Sequence, residues 1–220
     1  MKPDITDHPG GRASDSGPRE PNRRERRFEQ TRGEILRAAR EVMLERGAEG
    51  LSLREVARRA EFSPAALYKY YDGRDAIIAA LTQDSFRSLT SYLESGAATL
   101  TPDERIVELG MAYMRFAQEN PADLLAILNS TSADLPPGTD LSLGFAAAHM
   151  LADTLREGVA SGIFRIADAG QVPVIAWSIW VLVHGMSVLS SIDLRQVHDS
   201  VRAEPRAVLE AYVESLKQRA

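Results

Sequence analysis

LSLREVARRAEFSPAALYKYYDGR, residues 51–74, is the stretch that decides the fold of this 220-residue chain. Its apolar spacing and its caps predict two short helices, joined by a three-residue turn, and the start of a third. Ser52 and Glu55 have the spacing of a capping box, and Ser63 followed by Pro64 is typical of a helix start. The stretch therefore predicts a helix-turn-helix.

The second of these short helices, helix 3, is predicted over about Pro64 to Tyr71, with Leu67 and Tyr71 facing inward. Its outward and edge positions carry Ala65, Ala66, Tyr68, Lys69 and Tyr70. Small residues at a helix N-terminus let the backbone approach the floor of a major groove, where Lys and Tyr reach phosphates or base edges. This surface favours DNA contact; the alternative is that the tyrosines simply pack on the preceding helix.

Residues 1–22 are rich in Pro, Gly, Asp and Ser, which predicts a disordered N-terminal arm. Helix 1 is predicted from about Thr31, which has capping-box spacing with Glu34, to Arg46. Four arginines, Arg23, Arg24, Arg26 and Arg27, lie between the predicted arm and the predicted start of helix 1. They either lie along DNA phosphates or in a minor groove, or form a solvated lead-in to the helix, and the residues favour neither.

Composition limits the classes of function. The chain has no cysteine and four scattered histidines, which excludes disulfides, thiolate metal sites and cysteine nucleophiles. No cofactor or metal site is predicted. Residues 23–80 carry 13 Lys and Arg against 10 Asp and Glu, whereas residues 81–220 carry 10 against 17. A basic N-terminal part on an acidic body is compatible with a polyanion contact at one end, and equally with an ordinary solvated surface.

The rest of the chain reads as helices separated by caps and breakers, without strand alternation. Helix 4 is predicted from Arg74 to about Leu93, followed by helices beginning near Thr101, Asn120, Leu141, Gln171 and Pro205. The fold class is therefore all-α, with about nine helices. A helix-turn-helix DNA-binding domain at residues 23–80 precedes a helical ligand-binding and dimerisation domain at residues 81–220.

Helix 8 is apolar nearly all round, which predicts burial on several sides and a second burial partner beyond its own subunit. Its run from Val172 to Leu189 is about as long as a membrane span, but it contains Pro173, His184 and Gly185. We therefore interpret it as a buried helix and predict no membrane contact and a cytoplasmic location.

The segments ILRAAREVMLERG, LSLREVARRAEFS and PAALYKYYDGRDAII together resemble the DNA-binding domain of the TetR (tetracycline-repressor) family, over roughly Thr31 to Leu81. The resemblance implies that helix 3 is the recognition helix and that Arg74 takes the position of a phosphate-binding lysine. Glu61 stands where the family often has Gly, and left-handed backbone there costs roughly 1 kcal/mol. The implied DNA-binding residues are Ser52, Arg54, Ser63, Ala65, Ala66, Tyr68, Lys69, Tyr70 and Arg74.

The spacing of Trp180, His184 and Gly185 is similar to a C-terminal regulatory domain of some family members, named WHG for these residues. The family resemblance implies a homodimer through the last two helices, an operator in double-stranded DNA and an unidentified small-molecule effector. The candidate ligand-binding residues are Tyr113, Met114, Leu125, Phe145, Met150, Trp177, Trp180 and His184. Met and aromatic residues at helical spacing are also ordinary core residues.

Two other classes of protein stay open at this point. An enzyme needs a nucleophile with a base, paired carboxylates or a metal cluster, and the chain has no G-x-S-x-G, phosphate loop or HExxH. His149 and Asp153 share a helical face, which an ordinary surface pair explains equally well. The other alternative is a helical ligand-binding or interaction module without specific DNA binding, against which the intact caps and the cluster of Tyr68, Lys69 and Tyr70 argue.

Overall fold

The computed structural model describes residues 22–95, 99–129, 142–166, 168–191 and 204–217, without the side chains of residues 142–145, 169 and 191. Within these residues the chain forms α-helices, one 3-10 turn at Ala169–Gln171, and no strand, as the sequence predicts. The helices are α1 (Arg23–Arg46), α2 (Leu53–Arg59), α3 (Pro64–Leu67), α4 (Arg74–Glu94), α5 (Pro102–Glu119), α6 (Pro121–Asn129), α7 (Ser142–Ala160), α8 (Val172–Ser191) and α9 (Pro205–Lys217).

Helix α1 begins eight residues earlier than predicted, so the predicted start at Thr31 is wrong. Asn22 caps the helix: its side chain accepts from the backbone N–H groups of Arg24 and Glu25, at 2.9 and 3.0 Å, and the Glu25 side chain accepts from the Asn22 N–H. This capping box provides acceptors for backbone N–H groups at the N-terminus of the helix, which lies before Thr31. The predicted arm at residues 1–22 lies, except for Asn22, outside the described residues.

The first hydrophobic cluster joins α1 to α4. Its largest fully buried side chains include Ile35, Met43, Leu67 and Ile77, and Ala57 provides the close crossing of α2. Leu67 and Tyr71 point inward as predicted. Helix α3 is shorter than predicted, because after Leu67 the chain tightens into turns whose N–H groups at 69 and 70 bond the carbonyls three residues before them.

The second cluster forms the body of the chain, with α5 in contact with most other helices. Thr101 and Glu104 form the predicted capping box at its start. A Cβ placed at Gly110 lies 2.6 Å from Cδ1 of Leu209, so the glycine allows α9 to pack closely on α5. Two ion pairs fix the same helices, Arg206 to Glu108 at 2.7 Å and Lys217 to Asp103.

Helix α8 is buried on only one face of the protomer, so the predicted burial on several sides is wrong for the single chain. Val172, Ala176, Ile179, Val183 and Ser187 form the buried face. On the opposite face an apolar stripe, named here the α8 stripe, is 47% to 64% exposed at its large side chains. The α8 stripe consists of Val174, Trp177, Val181, Gly185 and Leu189.

A polar network joins the two clusters where α1, α4 and α6 meet. Arg40 Nε donates to Asp123 at 2.8 Å, and its Nη2 donates to Asp84 at 2.6 Å. Asp123 is 5% exposed and also accepts from Ser85 at 2.6 Å. Beside this network Ala126 of α6 is buried in the first cluster, whereas Leu124 and Ile127 are buried in the second, so α6 packs on both parts of the chain.

Replacing Asp123 with alanine is expected to lower the free energy of unfolding by about 2 kcal/mol, because Arg40 and Ser85 lose a buried acceptor. Asp84→Ala is the matched control, since Asp84 is more exposed and its loss costs about 1 kcal/mol or less. Urea unfolding at one fixed protein concentration measures both. Equal losses in the two variants contradict the prediction that the buried Asp123 contributes more to stability than Asp84.

Candidate nucleic-acid interface

The surface of α3 is set by its cap. Ser63 Oγ accepts from the Ala66 N–H at 3.2 Å, and Pro64 occupies the first turn. Ala65 is exposed at this N-terminal end, and Tyr68 (59% exposed) and Lys69 follow on the next turn. Within the described residues, the side chains of Tyr68 and Lys69 have no hydrogen-bond or ion-pair partner. The predicted small-then-aromatic-basic surface therefore exists as one exposed patch.

Tyr70 departs from the sequence interpretation, which placed it outward. Its ring stacks on Phe28 of α1, with centroids 4.9 Å apart and planes at 29°, and meets the edge of Phe62 at 6.3 Å. The ring is consequently half-buried, and the first turns of α1 lie beside the turns that follow α3. The DNA-binding role of Tyr70 stays a prediction, restricted to the part of the side chain left open.

Glu61 has a left-handed backbone, with φ of 59°, at the position where the family often has Gly. It is the only residue other than glycine with positive φ in the described part of the chain. The turn between α2 and α3 thus requires a conformation that costs an L-residue about 1 kcal/mol. The hydrogen bond from the Phe62 N–H to the Ala57 carbonyl, 2.9 Å, holds the turn closed.

Of the remaining predicted DNA-binding residues, Ser52 caps α2, and its Oγ accepts from the Glu55 N–H at 3.3 Å. Arg54 is exposed on the first turn of α2. Arg74 is more engaged than predicted: its Nε and Nη2 donate to the carbonyls of Leu51 and Ala48, both at 2.9 Å. Arg74 therefore ties the α1–α2 connection to the start of α4, in addition to any phosphate contact.

Helix α2 is held against α1 by a charge network centred on Glu55. Its carboxylate accepts from Arg58 at 2.9 and 3.1 Å and from Arg59 at 3.0 Å, and Arg59 also binds Glu45 of α1. The hydrogen bonds from Arg58 and Arg59 lower the pKa of Glu55 to about 2. The Glu55 side chain therefore serves this network rather than completing the predicted capping box with Ser52.

Because of this network, the free energy of unfolding is expected to fall at acid pH. The pKa of Glu55 is lower in the folded chain than the value of about 4.3 of an unfolded glutamate, so its stabilisation is complete above roughly pH 5. It is lost as the pH falls toward about 2. Glu55→Gln is expected to show a smaller drop in urea midpoint between pH 5 and pH 3 than the unmodified chain. Glu94→Gln, at the exposed end of α4, is the control; an identical drop in all three proteins contradicts the prediction.

Four of the predicted ligand-binding residues form a continuous stack in the body. Tyr113 of α5 is buried, and its hydroxyl lies 2.5 Å from Nδ1 of His184. The His184 ring stacks on Trp180 at 4.6 Å, and Trp180 stacks on Trp177 at 4.9 Å. Burial raises the pKa of Tyr113 and lowers that of His184, so both side chains are favoured in their neutral forms and share this hydrogen bond. This aromatic ladder runs from the core to the α8 stripe.

The other four candidates are not brought together with the aromatic ladder in one site. Met114 and Met150 are partly buried against the body cluster, whereas Leu125 packs against the helix-turn-helix cluster. The side chain of Phe145 lies outside the described residues. A groove of about 400 Å³ lies elsewhere, between α5 and α9, and is lined mainly by charged residues such as Asp103, Glu108 and Arg206. Within the described residues no group of three or more His, Asp or Glu is placed to hold a metal ion.

Comparison with known proteins places this geometry in a family. Residues 35–81, which contain α2, α3 and the connections around them, match the bacterial regulatory proteins of the tetR family. The helix-turn-helix of this chain is of the TetR family. The matched TetR segment includes Glu61 and Arg74, two of the positions at which it departs from the family pattern, and excludes Phe28 and the arginines before it.

Relatives extend the likeness beyond the helix-turn-helix. The HTH-type transcriptional regulator Rv1816 of Mycobacterium tuberculosis is 28% identical over 145 residues, which span 64% of this chain and 62% of the relative, less than two thirds of its length. A protein of unknown function from Rhodococcus sp. RHA1 is 26% identical, with a TM-score of 0.71, and the match covers 86% of this chain and 96% of that one. The TetR-family regulator PfmR of Thermus thermophilus, 22% identical, shares the fold with a TM-score of 0.62 over 84% and 97%.

The sequence analysis missed residues that act through tertiary contact in this TetR-family fold. Phe28 was given no role, although an aromatic residue among the arginines that precede Arg32 was a signal for packing. Arg40 and Asp123 are 83 residues apart, and nothing in the local pattern of either indicates the pair. The hydrogen bonds from Arg74 to the carbonyls of Leu51 and Ala48 are likewise indicated by no sequence pattern.

Proposed function

We propose that this chain is a DNA-binding transcriptional regulator, most simply a repressor, that binds near-palindromic duplex DNA as a homodimer and is released by a small-molecule effector. The observation that carries the proposal is the exposed surface of α3, where Ala65, Tyr68 and Lys69 are presented together by the Ser63 cap. A helix-turn-helix reads bases from the N-terminal residues of its second helix.

The proposed division of labour follows from exposure. Ala65 and Ala66 face the bases, Lys69 and Tyr68 reach phosphates or base edges, and Arg54 reaches the backbone from α2. Ser52 and Ser63 act through their caps, which leave their hydroxyl groups at the helix starts. Gly73 provides no side-chain cap for α4, so backbone N–H groups at its first turn are available beside Arg74 for a phosphate.

The α8 stripe supports the homodimer. Exposed tryptophan, valine and leucine along one helix form an apolar surface that a monomer in water rarely keeps open. Gly185 lies within this stripe, and a Cβ placed there meets nothing within 4 Å, so the glycine leaves room for a second helix to approach. A second copy, joined through α8 together with α9, places two recognition helices on one duplex.

By length and composition alone, α8 is also long and apolar enough to span a membrane, from Val172 to Ser190. Its other face argues against that role, because Ala176, Ile179 and Val183 pack into the body cluster. Ser187 is buried there and bonds the Val183 carbonyl at 2.9 Å. We therefore assign the exposed face to a protein partner and place the protein in the cytosol, without membrane contact.

The aromatic ladder is the best-supported part of the proposed effector site. Tyr113 and His184 offer a polar pair within an apolar body, and Trp180 and Trp177 offer flat surfaces for stacking, a combination typical of small-molecule sites. The remaining candidates, Met114, Leu125, Phe145 and Met150, stay predictions. In this proposal, an effector bound beside α5 and α8 changes the position of the DNA-binding domain through α6. The hydrogen bond between Arg40 and Asp123 connects α6 to α1.

Enrichment from random duplexes tests this function. The purified full-length chain is mixed with a library of random duplexes at low salt, and retained DNA is amplified and sequenced over several rounds. We expect one near-palindromic sequence to emerge, and its complex then serves to screen small molecules for release. A chain that retains duplexes without any sequence enrichment contradicts the proposed function and favours a helical interaction module.

A further inference from the structure

The first two turns of α1 form an exposed basic surface, named here the α1 arginine face, made of Arg23, Arg24 and Arg27. All three side chains are exposed, and within the described residues none has an ion-pair partner. Residues 23–32 carry five arginines against two glutamates. Because Asn22 caps these residues into a continuous helix, they are presented from a rigid scaffold rather than from an extended arm.

Two aromatic contacts fix the direction of this helix relative to the recognition segment. Phe28 stacks on Tyr70, and one turn later the Arg32 guanidinium lies over the Tyr71 ring, 5.1 Å from its centroid. Arg32 Nε also donates to the Tyr71 hydroxyl at 3.4 Å. Positions 28 and 32 share one helical face, so α1 is attached by consecutive turns to the residues that follow α3.

The same helical face continues one turn beyond the stack. Arg24 precedes Phe28 by four residues, which places it on the Phe28 face about 6 Å farther along the axis. Arg27 flanks that face on the adjacent position. The α1 arginine face therefore lies beside Tyr70 and extends the edge of the patch that contains Tyr68 and Lys69. Guanidinium groups on a rigid helix suit the phosphate backbone, whereas a minor groove needs an extended segment.

We infer that Arg24 and Arg27 bind DNA phosphates and extend the interface beyond the helix-turn-helix, with Phe28 and Tyr70 setting their position. The inference rests on the proposed function, because it assumes that α3 faces the duplex. It assigns these arginines a sequence-independent contribution to affinity, separate from base reading by α3. The proposed partner is duplex DNA. The alternative, which the experiment below tests, is a solvated surface without a partner.

The test measures how duplex binding depends on salt. The double variant Arg24→Gln/Arg27→Gln of the full-length chain is compared with Arg115→Gln/Arg156→Gln, which removes the same charge from exposed positions on α5 and α7. Fluorescence anisotropy across a series of salt concentrations gives the slope of log affinity against log salt. Each lost phosphate contact lowers the magnitude of that slope by about 0.9. The first variant loses two contacts in each protomer of the proposed dimer, so it is expected to lower the slope by about 3.6 and the control by almost nothing.

Two further measurements keep the outcome interpretable. The affinity loss is expected to be equal on the enriched sequence and on a scrambled duplex, and Phe28→Ala is expected to reproduce part of the slope change with the helix content retained. An unchanged slope in Arg24→Gln/Arg27→Gln overturns the inference while duplex binding by the unmodified chain leaves the proposed function standing. If the unmodified chain binds no duplex even at the lowest salt concentration, both are overturned.

Discussion

Replacing Ala65 with glutamate is expected to remove sequence-specific DNA binding while leaving the protein folded. Ala65 is exposed in the first turn of α3, after the Ser63 cap and Pro64. A carboxylate in the first turn of a helix is favourable to folding, because it faces the positive end of the helix dipole. The same carboxylate meets base edges and phosphates when α3 enters a major groove. One substitution therefore separates folding from DNA binding.

The expected loss of affinity for the enriched duplex is roughly 100-fold or more, since a lost base contact alone costs about 1–3 kcal/mol before charge repulsion is added. Ala148→Glu is the matched control, because it makes the same change at an exposed position of α7. Anisotropy titrations at one salt concentration compare the two variants, and circular dichroism checks their helix content. Equal affinities for Ala65→Glu and Ala148→Glu contradict the role of α3 as the recognition helix.

Replacing Gly185 with leucine is expected to have opposite effects on the protomer and on the dimer. A Cβ placed there meets no atom of its own chain within 4 Å, so the protomer accommodates a side chain. Exchanging glycine for leucine inside a helix stabilises that helix by about 0.8 kcal/mol. In the dimer the new side chain occupies the space through which the partner's helix approaches. The dimer dissociation constant is therefore expected to rise by roughly 100-fold, the equivalent of about 2.7 kcal/mol.

Gly33→Leu is the matched control for this change. Gly33 is exposed within α1, a Cβ placed on it likewise has no atom within 4 Å, and it lies far in sequence from α8. Both variants are expected to gain helix stability, but only Gly185→Leu is expected to shift the sedimentation coefficient toward the monomer at micromolar concentration. The same dissociation constant in both variants contradicts dimerisation through the α8 stripe.

Local chemistry explains why much of this fold was predictable from sequence. Ser52, Ser63 and Thr101 begin helices because each oxygen accepts from a backbone N–H within the first turn, or forms a capping box with a following glutamate. The inward positions Leu67 and Tyr71 followed from helical periodicity alone. The resemblance to a family that often has Gly at position 61 raised the case of a left-handed backbone there, and Glu61 adopts it.

The errors have a common origin in contacts between distant residues. Capping-box spacing occurs at both Asn22 and Thr31, and local sequence does not decide between them; the helix extends to Asn22, where Phe28 gains a partner in Tyr70. Helix α8 is apolar on every side, so periodicity carries no information about which face the protomer buries. The candidate ligand-binding residues in the body are of types that are common in both cores and pockets. One of them, Leu125, packs against the first hydrophobic cluster rather than against the body cluster.

The Arg40 network indicates how the two parts of the chain are held relative to one another. Arg40 belongs to α1, whereas its partners Asp84 and Asp123 belong to α4 and α6. We expect these ion pairs to fix the direction in which each protomer of the proposed dimer presents α3. Because a palindromic operator demands one spacing between two recognition helices, that direction matters as much as the α3 side chains.

The most direct test of the account changes the spacing of the operator rather than the protein. About five base pairs are inserted between the two halves of the enriched duplex, which rotates one half by about half a helical turn while every base contact is kept. A dimer with two fixed recognition helices is expected to lose roughly 100-fold or more in affinity, because only one half-site is then engaged. Undiminished affinity for the lengthened duplex contradicts recognition by a rigid dimer.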